Sequence, residues 1–396
     1  MAELSAAAGS GAGAAGTISA VIVGASGYVG GELLRLLLGH PRVELVAATS
    51  ERLAGRRVDG VHPNLRQLTD LVFRRLDEIP DHDVTFLAAS RTTAMTAVPD
   101  LLRRSKHLID LSPDFRLSDA GVFARYYGVS HTTPGLLSSF TPGLPELHRQ
   151  ALTIADRISV PGCMATAAIL ALWPLARAGL VDGRAIVDGR IGSSGSGASA
   201  GPHNLHAERS GAMRVFAAAG HRHEAEIAQS TGLPVRMTAT GVEAVRGAQV
   251  VCHVQTSSAV DSAAIRRLYR RHYADEPFVR VVAALHGAYR LPEPKILSGS
   301  NFCDVGFAVG PEGRAVTAIA ALDNLGKGGP GNAVQCLNIR MGWEERLGLS
   351  FAGLHPALAP QPGQSGLSPS DRRRLLASAG AVSSTSCKAS SLHALA

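Results

Sequence analysis

The chain has 396 residues, of which 45% are hydrophobic and 18% charged. This length predicts two packed domains, and the composition is that of soluble globular proteins. An apolar run of about 18 residues, which a membrane helix needs, is absent from the sequence. The formal net charge is +7, but the arginines are scattered and no nucleic-acid recognition motif accompanies them. We therefore expect no membrane and no nucleic acid as partner, and a basic surface that suits an anionic substrate or an acidic protein.

The N-terminal segment and the cysteines bear on the cellular compartment of the protein. Residues 1–16 are rich in Ala, Gly and Ser and lack the basic and apolar regions of a secretory signal, so they are expected to be a flexible leader. The five cysteines are far apart, without a CxxC motif or zinc-ligand spacing. These features predict a reduced, cytoplasmic protein without a metal site.

The first half of the chain alternates short apolar strands with helices. Such alternation predicts a parallel, doubly wound sheet of Rossmann type, which we assign to residues 17–161. The predicted strands are Ile18–Val23, Val43–Ala48, Val84–Ala88 and His107–Leu111, and the predicted helices are Glu32–Leu38 and Thr93–Ser105.

Residues 162–324 have a different pattern, with strands rich in Val, Thr and Ala and a hairpin turn at Gly310–Gly313. They predict an α+β catalytic domain with a mainly antiparallel sheet, so that the fold class is α/β with two domains. Within residues 325–356, a helix at Asn332–Arg340 is expected to return to the first domain. Residues 357–396 lack periodicity and are expected to be a disordered tail. The elements predicted in the second domain are the helix Ala165–Ala178 and the strands Ala185–Ile191, Val235–Thr240, Gln249–Gln255, Asp304–Val309 and Ala315–Ala321.

Gly24, Gly27 and Gly30 lie between the first strand and the first helix. Glycines at this place allow a tight turn, and the N-terminus of the helix offers free N–H groups to a pyrophosphate. The spacing is GxxGxxG, so it is the βαβ context that favours a dinucleotide site over a simple connecting turn.

The second strand is followed by Ser50, Glu51 and Arg52, where enzymes that use NAD carry a lone carboxylate for the ribose. Ser50 and Arg52 can instead bind a 2′-phosphate, and Arg56 and Arg57 add positive charge. NADP is therefore favoured over NAD, the alternative being that these arginines only solvate a loop.

Cys163 follows Pro161-Gly162 at the predicted start of a helix. The positive end of a helix dipole lowers the pKa of a thiol and favours the nucleophilic thiolate. Cys252 and Cys336 lie within apolar segments and are expected to be small core residues. The residues alone leave open whether Cys163 is a nucleophile or a core residue too.

The run Gly220-His221-Arg222-His223 forms a compact basic group, which we do not expect to be buried for packing. A general acid/base with an anion-binding pair is favoured over a metal site, because a third ligand is missing. The segment Asp110–Arg116 follows a strand end, where ligands collect in doubly wound sheets. The Gly/Ser loop Gly192–Gly197 could hold a phosphate with its N–H groups or simply be a flexible linker.

Taken together, these segments resemble the N-acetyl-glutamyl-phosphate reductase family, within the aspartate-semialdehyde dehydrogenase superfamily. The resemblance runs from about Ile18 to Pro356. The motifs that carry it are Gly24–Leu34, His62–Leu65, Asp114–Leu117, Gly143–Leu147, Pro161–Cys163, Gly220–His223, Gly299–Asn301, Cys303-Asp304, Asp323–Leu325 and Lys327-Gly328.

The resemblance implies an NADPH-dependent reduction of an acyl phosphate to a semialdehyde through a thioester on Cys163. His221 would be the acid/base, with His223 as the second choice. Arg116 would hold a carboxylate or phosphate of the substrate, and His223 and Glu146 are further candidates for substrate binding. The residues that it implies for NADP binding are Gly24, Ser26, Gly27, Tyr28, Val29, Ser50, Glu51, Arg52 and Asn324.

Several stretches, among them Glu208–Gly211 and Pro292–Lys295, are similar to one branch of the family. That branch reduces an aminoadipyl or glutamyl phosphate whose amino group is blocked by a small acidic carrier protein, in lysine and sometimes arginine biosynthesis. The alternatives are an arginine-pathway reductase of N-acetyl-glutamyl phosphate and a catalytically silent NADP-binding sensor. A sheet-rich second domain also favours a homodimer or homotetramer.

The chain departs from the common pattern of the family at two places. Ala88–Thr92 replaces a Leu-Pro-His-Gly motif near the nicotinamide side, and Pro330 interrupts the run of small residues that is usual at the start of the last helix.

Overall fold

A computed structural model of the chain describes residues 16–355. The predicted tail, and the predicted leader apart from Gly16, lie outside the described residues. In the described range, every helix is too short or too polar to cross a membrane.

The first sheet has seven strands, all parallel, in the order β3-β2-β1-β4-β5-β7-β6. The strands are β1 (Ile18–Val23), β2 (Val43–Thr49), β3 (Phe73–Arg74), β4 (His82–Leu87), β5 (Ser105–Asp110), β6 (Thr141–Pro142) and β7 (Arg157–Ser159). This confirms the predicted doubly wound sheet. The chain winds outward in one direction from β1 and in the other from β4, so the carboxyl ends of these two strands form the crevice where ligands bind in such sheets.

The helices of this half are α1 (Tyr28–Leu38), α2 (Val58–Val61), α3 (Ala94–Arg104), α4 (Ala120–Tyr127) and α5 (Pro145–Leu152). Helix α1 begins earlier than predicted and includes Gly30. A Cβ atom on Gly30 would lie 2.5 Å from the Cα atom of Ala25. Glycine is therefore needed there for close packing, although it weakens a helix by about 1 kcal/mol relative to alanine.

The second sheet also has seven strands, in the order β12-β13-β14-β11-β8-β10-β9. The strands are β8 (Val181–Ile191), β9 (Arg214–Ala217), β10 (Val235–Gly241), β11 (Ala248–Thr256), β12 (Val279–Val281), β13 (Cys303–Val309) and β14 (Ala315–Leu322). Only the neighbours β8 and β10 and the neighbours β12 and β13 are parallel within the described residues. The prediction of a mainly antiparallel sheet is confirmed.

The remaining helices are α6 (Cys163–Arg177), α7 (His206–Arg209), α8 (His223–Thr231), α9 (Ser262–Tyr273) and α10 (Pro330–Arg340). Helix α6 is apolar on nearly all sides and is buried in the core of the second sheet, as expected for such a helix. Pro174 removes the N–H group that would bond to the carbonyl of Leu170. The hydroxyl of Tyr273 on α9 donates a hydrogen bond of 2.6 Å to that carbonyl and so replaces the lost partner.

Helix α10 packs against α1 and α5, and its apolar residues join the core of the first sheet. Pro330, which departs from the family's usual pattern, is the first residue of this helix. Proline fits that position, since the N–H group it lacks has no partner inside the helix.

Candidate active site

A cleft of about 720 Å³ is lined by residues from both sheets and their loops. The predicted site residues that line it are Gly27, Tyr28, Val29, Arg116, Cys163, His221, His223 and Asn324. Gly24, Ser26, Ser50, Glu51, Arg52 and Glu146 do not line it. The cleft thus combines the glycine turn of the first sheet with the cysteine and histidines of the second half.

The glycine turn fits a dinucleotide. Gly24 follows β1 with φ +81°, and a Cβ atom there would lie 2.6 Å from the carbonyl oxygen of Ala88, which follows β4. Only glycine is compatible with this conformation and this approach at the crevice of the sheet. Gly27 is the N-cap of α1, and no side chain caps the helix, so its first N–H groups are available to a pyrophosphate.

Ser50 lies close to this turn, with its hydroxyl 2.9 Å from that of Ser26. Glu51 instead accepts a hydrogen bond of 2.8 Å from the N–H of Leu76 and pairs with Arg75 at 3.4 Å. Its carboxylate is therefore already engaged.

The arginines near Ser50 differ in their partners. Arg57 is bonded to Asp59 and Asp70 at 2.8 Å and 3.1 Å, so its charge is neutralised locally. Arg52 is exposed and has no ion-pair partner in the described part of the chain. Arg52 is therefore better placed than Arg57 to meet an added phosphate.

Cys163 is the first residue of α6, as the sequence predicted, and it is half-buried. Burial raises the pKa of its thiol to about 11, and the guanidinium of Arg116 opposes that rise. The prediction of a lowered thiol pKa from the helix dipole was wrong, because desolvation outweighs the positive charges around the sulfur. The thiol is consequently protonated at neutral pH and needs a base.

Arg116 is held beside Cys163 by two carbonyl groups. Its Nε atom donates to Val160 at 3.0 Å and its Nη2 atom to Leu111 at 2.9 Å. Burial opposes its charge, but the nearby carboxylate of Glu226, 3.5 Å from Nη1, keeps the pKa of Arg116 above its ordinary value. Arg116 is thus a fixed positive charge at the thiol.

His221 and His223 are only 6% and 4% exposed, so the expectation that this pair is not buried was wrong. A Cβ atom on Gly162 would lie 2.1 Å from Nε2 of His223, which explains a glycine before Cys163. Burial lowers the pKa of His221 to about 4 and that of His223 well below its usual range. Both rings are therefore neutral at pH 7 and can accept a proton.

Glu226 is a site residue that the sequence analysis missed. It lies on α8, and its Oε2 atom accepts a hydrogen bond of 2.7 Å from the N–H of Gly162. Its Oε1 atom lies 3.7 Å from Nε2 of His223 and is buried without a hydrogen bond. The sequence did contain a signal for Glu226. Residues three apart on a helix share a face, and Glu226 follows His223 at this spacing.

The loop after β14 closes the cleft on another side. The side-chain oxygen of Asn324 accepts a hydrogen bond of 2.7 Å from the N–H of Gly247, and its amide donates to the hydroxyl of Ser194 at 3.0 Å. A Cβ atom on Gly328 would lie 2.6 Å from that of Cys163. Asn324 and the Gly192–Gly197 loop are thus held next to the nucleophile candidate.

Glu146 is placed away from the cleft. Its side chain is fully buried and forms an ion pair of 2.7 Å with Lys327, which is fully buried as well. Lys327 also donates to Asn332 at 3.0 Å and to Gln335 at 2.7 Å. This geometry argues against the implied substrate-binding role of Glu146 and gives it a structural one.

Two family models match the chain. The model described as the semialdehyde dehydrogenase NAD binding domain matches residues 19–155, and the one described as the semialdehyde dehydrogenase dimerisation domain matches residues 163–324. The chain belongs to the semialdehyde dehydrogenase family.

Two similar proteins carry names of phosphate reductases. One, from Deinococcus radiodurans, is named LysW-L-2-aminoadipate 6-phosphate reductase and is 44% identical over 338 residues, covering 85% of this chain and 97% of that protein. Another, from Thermococcus kodakarensis, is named putative LysW-L-2-aminoadipate/LysW-L-glutamate phosphate reductase and is 44% identical over 341 residues, covering 86% and 99%.

Solved structures of semialdehyde dehydrogenases share the fold. Aspartate semialdehyde dehydrogenase II of Vibrio cholerae complexed with ASA has a TM-score of 0.64 at 16% identity, covering 82% of this chain and 98% of that one. Aspartate semialdehyde dehydrogenase with NADP from Candida albicans has a TM-score of 0.60 at 13% identity, with the same coverage.

In this semialdehyde dehydrogenase family member, the cleft combines a thiol, two neutral imidazoles and a fixed guanidinium. A thiol with a neutral base can attack a carbonyl group, and a nearby cation stabilises the oxygen that becomes negative. Within residues 16–355, no three His, Cys, Asp or Glu side chains are grouped closely enough to hold a metal ion.

Proposed function

We propose that the protein reduces an N-blocked acyl phosphate to the semialdehyde with NADPH, through a thioester on Cys163. The observation that carries this proposal is the position of Cys163 at the start of α6, in one cleft with the dinucleotide turn of α1. Arg116 and the neutral His221 line the same cleft and supply the charge and the base that the chemistry requires.

The first half-reaction forms the thioester. His221 takes the proton of the Cys163 thiol as the sulfur attacks the acyl carbonyl, so a thiolate forms only when substrate is bound. Arg116 stabilises the negative oxygens of the tetrahedral intermediate and of the departing phosphate. The carbon–oxygen bond to phosphate breaks, and the acyl group stays on the sulfur.

The second half-reaction releases the aldehyde. NADPH, when bound, supplies the hydride that reduces the thioester carbon. His221, protonated since the first half-reaction, gives that proton to the oxygen of the resulting thiohemiacetal and takes it back as the carbon–sulfur bond breaks. The same proton then passes from His221 to the leaving thiolate of Cys163.

The preference for NADPH over NADH rests on Ser50 and Arg52. In enzymes that use NAD, a carboxylate at this place binds the ribose hydroxyls. Here the nearby carboxylate of Glu51 is bonded to the Leu76 N–H and to Arg75, whereas Arg52 is exposed without an acidic partner in the described residues. A 2′-phosphate supplies the anion that Arg52 lacks.

The substrate we favour is an aminoadipyl phosphate carried on a small acidic amino-group carrier protein, in lysine or related amino-acid biosynthesis in the cytoplasm. The names of the relatives at 44% identity support this choice. Arg214 and Arg222 line the cleft and are exposed, so they offer positive charge where an acidic carrier would dock. The alternative is N-acetyl-glutamyl phosphate, for which the chemistry at Cys163 is the same.

Turnover of both substrates as a function of salt tests the function and the carrier together. The proposal expects one phosphate released for each NADPH oxidised, and no turnover by Cys163→Ser. Efficiency with the carrier-linked substrate should fall steeply as salt rises, because exposed charges are screened over about 10 Å at 0.1 M. If salt lowers the efficiency with both substrates equally and only slightly, the alternative is favoured. Activity with N-acetyl-glutamyl phosphate alone would also favour it.

We also propose a homo-oligomer that uses the face of the second sheet opposite α6. Side chains on that face alternate with the core residues, and Ile186 and His253 on it are exposed. Ile186 is 48% exposed, which is unusual for a large apolar side chain in a central strand. Equilibrium sedimentation of wild type and Ile186→Arg tests this surface, and an unchanged mass would contradict it.

A further inference from the structure

Thr92, in the loop between β4 and α3, has a backbone conformation that its own side chain disfavours. Its φ angle is +69°, in the left-handed region, where a residue branched at Cβ is a clear outlier. Among residues 16–355, the only other non-glycine residue with such an angle is Gln67, whose Cβ is unbranched. Strain of this kind opposes the conformation by a factor of roughly 10 to 100, so other contacts must hold it.

The conformation is held at one peptide group, which joins Arg91 to Thr92. Its N–H donates a hydrogen bond of 3.0 Å to Oδ1 of Asp114, and its carbonyl accepts one of 2.6 Å from the Thr92 hydroxyl. Rotation of this peptide group is the simplest way for Thr92 to leave the left-handed region. Because that rotation would break both hydrogen bonds, they lock the strained conformation.

Asp114 is suited to this task because it is fully buried and is itself fixed. Its Oδ2 atom accepts a hydrogen bond of 3.1 Å from the N–H of Met95, in the first turn of α3, where the N-cap residue makes no side-chain bond. The N–H of Asp114 donates to the hydroxyl of Ser112 at 3.1 Å, and that hydroxyl donates to Asp110 at 2.9 Å. Both carboxylate oxygens of Asp114 thus act on the segment that follows β4.

The locked loop forms part of the cofactor side of the cleft. Residues 88–90 line the cleft together with Gly27 and Tyr28 from the start of α1. The carbonyl oxygen of Ala88 lies so close to Gly24 that a Cβ atom there would be only 2.6 Å away. A change in the backbone of the loop would therefore alter the place where the dinucleotide is expected to bind.

We propose that Asp114 is a positioning residue, which keeps the loop after β4 in its strained conformation and so pre-organises the cofactor site. Without this lock Thr92 relaxes, and cofactor binding has to restore the disfavoured conformation. The apparent affinity then falls in proportion to the fraction of molecules that still have it. This inference rests on the proposed function, in which NADPH binds at the start of α1.

The test measures NADPH binding directly, by the change in its fluorescence during titration. Asp114→Ala removes both acceptors, and Asp114→Asn keeps one of them and serves if the alanine variant does not fold. Each is combined with Thr92→Gly, because glycine adopts positive φ angles without strain. The matched control is the combination with Thr93→Gly, since Thr93 is the adjacent residue and has an ordinary φ of −76°.

The proposal predicts that Asp114→Ala raises the Kd for NADPH roughly 10-fold, with a smaller rise for Asp114→Asn. Adding Thr92→Gly should remove most of this rise, whereas adding Thr93→Gly should not. Thr92→Gly alone should bind NADPH like wild type, because Asp114 already holds the loop. The melting temperature of Asp114→Ala should fall with the lost bond to Met95, and Thr92→Gly should not restore it.

The outcomes separate the inference from the proposed function. Wild-type affinity in both Asp114 variants would overturn the inference. A loss of affinity that Thr92→Gly leaves unchanged, or that Thr93→Gly restores equally well, would overturn it too, because Asp114 would then only cap α3. These results would leave the proposed function intact. A wild-type protein that binds no NADPH in the titration would contradict the proposed function itself.

Discussion

The carboxylate of Glu226 accepts a hydrogen bond of 2.7 Å from the backbone N–H of Gly162, the residue immediately before Cys163. The same carboxylate faces Arg116 at 3.5 Å and His223 at 3.7 Å. One buried acid thus fixes the start of α6 and sets the charge around the thiol. Removing it should change the acidity of Cys163, and removing Arg116 should change it in the opposite direction.

We predict that Glu226→Gln speeds alkylation of Cys163 by iodoacetamide near pH 8, whereas Arg116→Met slows it. The charge of Glu226 raises the pKa of the thiol and that of Arg116 lowers it, within a net rise to about 11 that is mainly due to burial. In wild type the rate should therefore grow about tenfold per pH unit from pH 7 to 10, since only the thiolate reacts.

Peptide mass spectrometry should follow Cys163 itself, because Cys387 adds a further thiol. Glu344→Gln, at an exposed acid outside the cleft, is the control and should leave the profile unchanged. A wild-type rate that levels off at or below pH 8 would mean that the thiolate is already formed without substrate, contrary to this account.

The local parts of this site could be predicted from the sequence, whereas its electrostatics could not. The turn Gly24–Gly30 and the start of α6 at Cys163 follow from glycines and apolar runs that are adjacent in the chain. The burial of His223 involves packing against Gly162, which is remote in sequence. Burial also decides the pKa of the Cys163 thiol, for which the helix dipole alone had predicted a shift in the opposite direction.

Glu146 illustrates the same limit for assigning roles. Its motif, Gly143–Leu147, resembles that of the family, and the sequence offered no means of deciding whether the carboxylate faces substrate or core. Its partner Lys327 comes from the loop after β14, which only the tertiary structure brings to α5. Long-range pairing of this kind leaves no periodicity or spacing in the sequence.

Cofactor preference should depend on Arg52. We predict that Arg52→Ala raises the KM for NADPH roughly 10-fold and leaves that for NADH unchanged, because an exposed charge-assisted contact to phosphate is lost. Arg57→Ala is the matched control, since Asp59 and Asp70 already neutralise Arg57. Steady-state kinetics with both cofactors measure the effect, and equal losses with NADPH and NADH would refute the assignment.

Stability should depend on the buried pair of Lys327 and Glu146. We predict that Lys327→Met lowers the free energy of unfolding by about 3–5 kcal/mol, because it leaves a carboxylate buried without its partner. Urea denaturation measures this change. Combining Lys327→Met with Glu146→Leu should restore part of the stability by removing both charges. Losses that simply add would show that the two side chains are not coupled.

The central claim is a thioester on Cys163, and a rapid-mixing experiment without phosphate tests it most directly. The semialdehyde and NADP⁺ should give a burst of about one NADPH per active site, after which turnover stops because no phosphate is present to release the acyl group. Mass spectrometry should then locate the acyl group on Cys163, and added phosphate should discharge it. Continuous NADPH formation without phosphate, or a full burst with no acyl group on Cys163, would contradict the account.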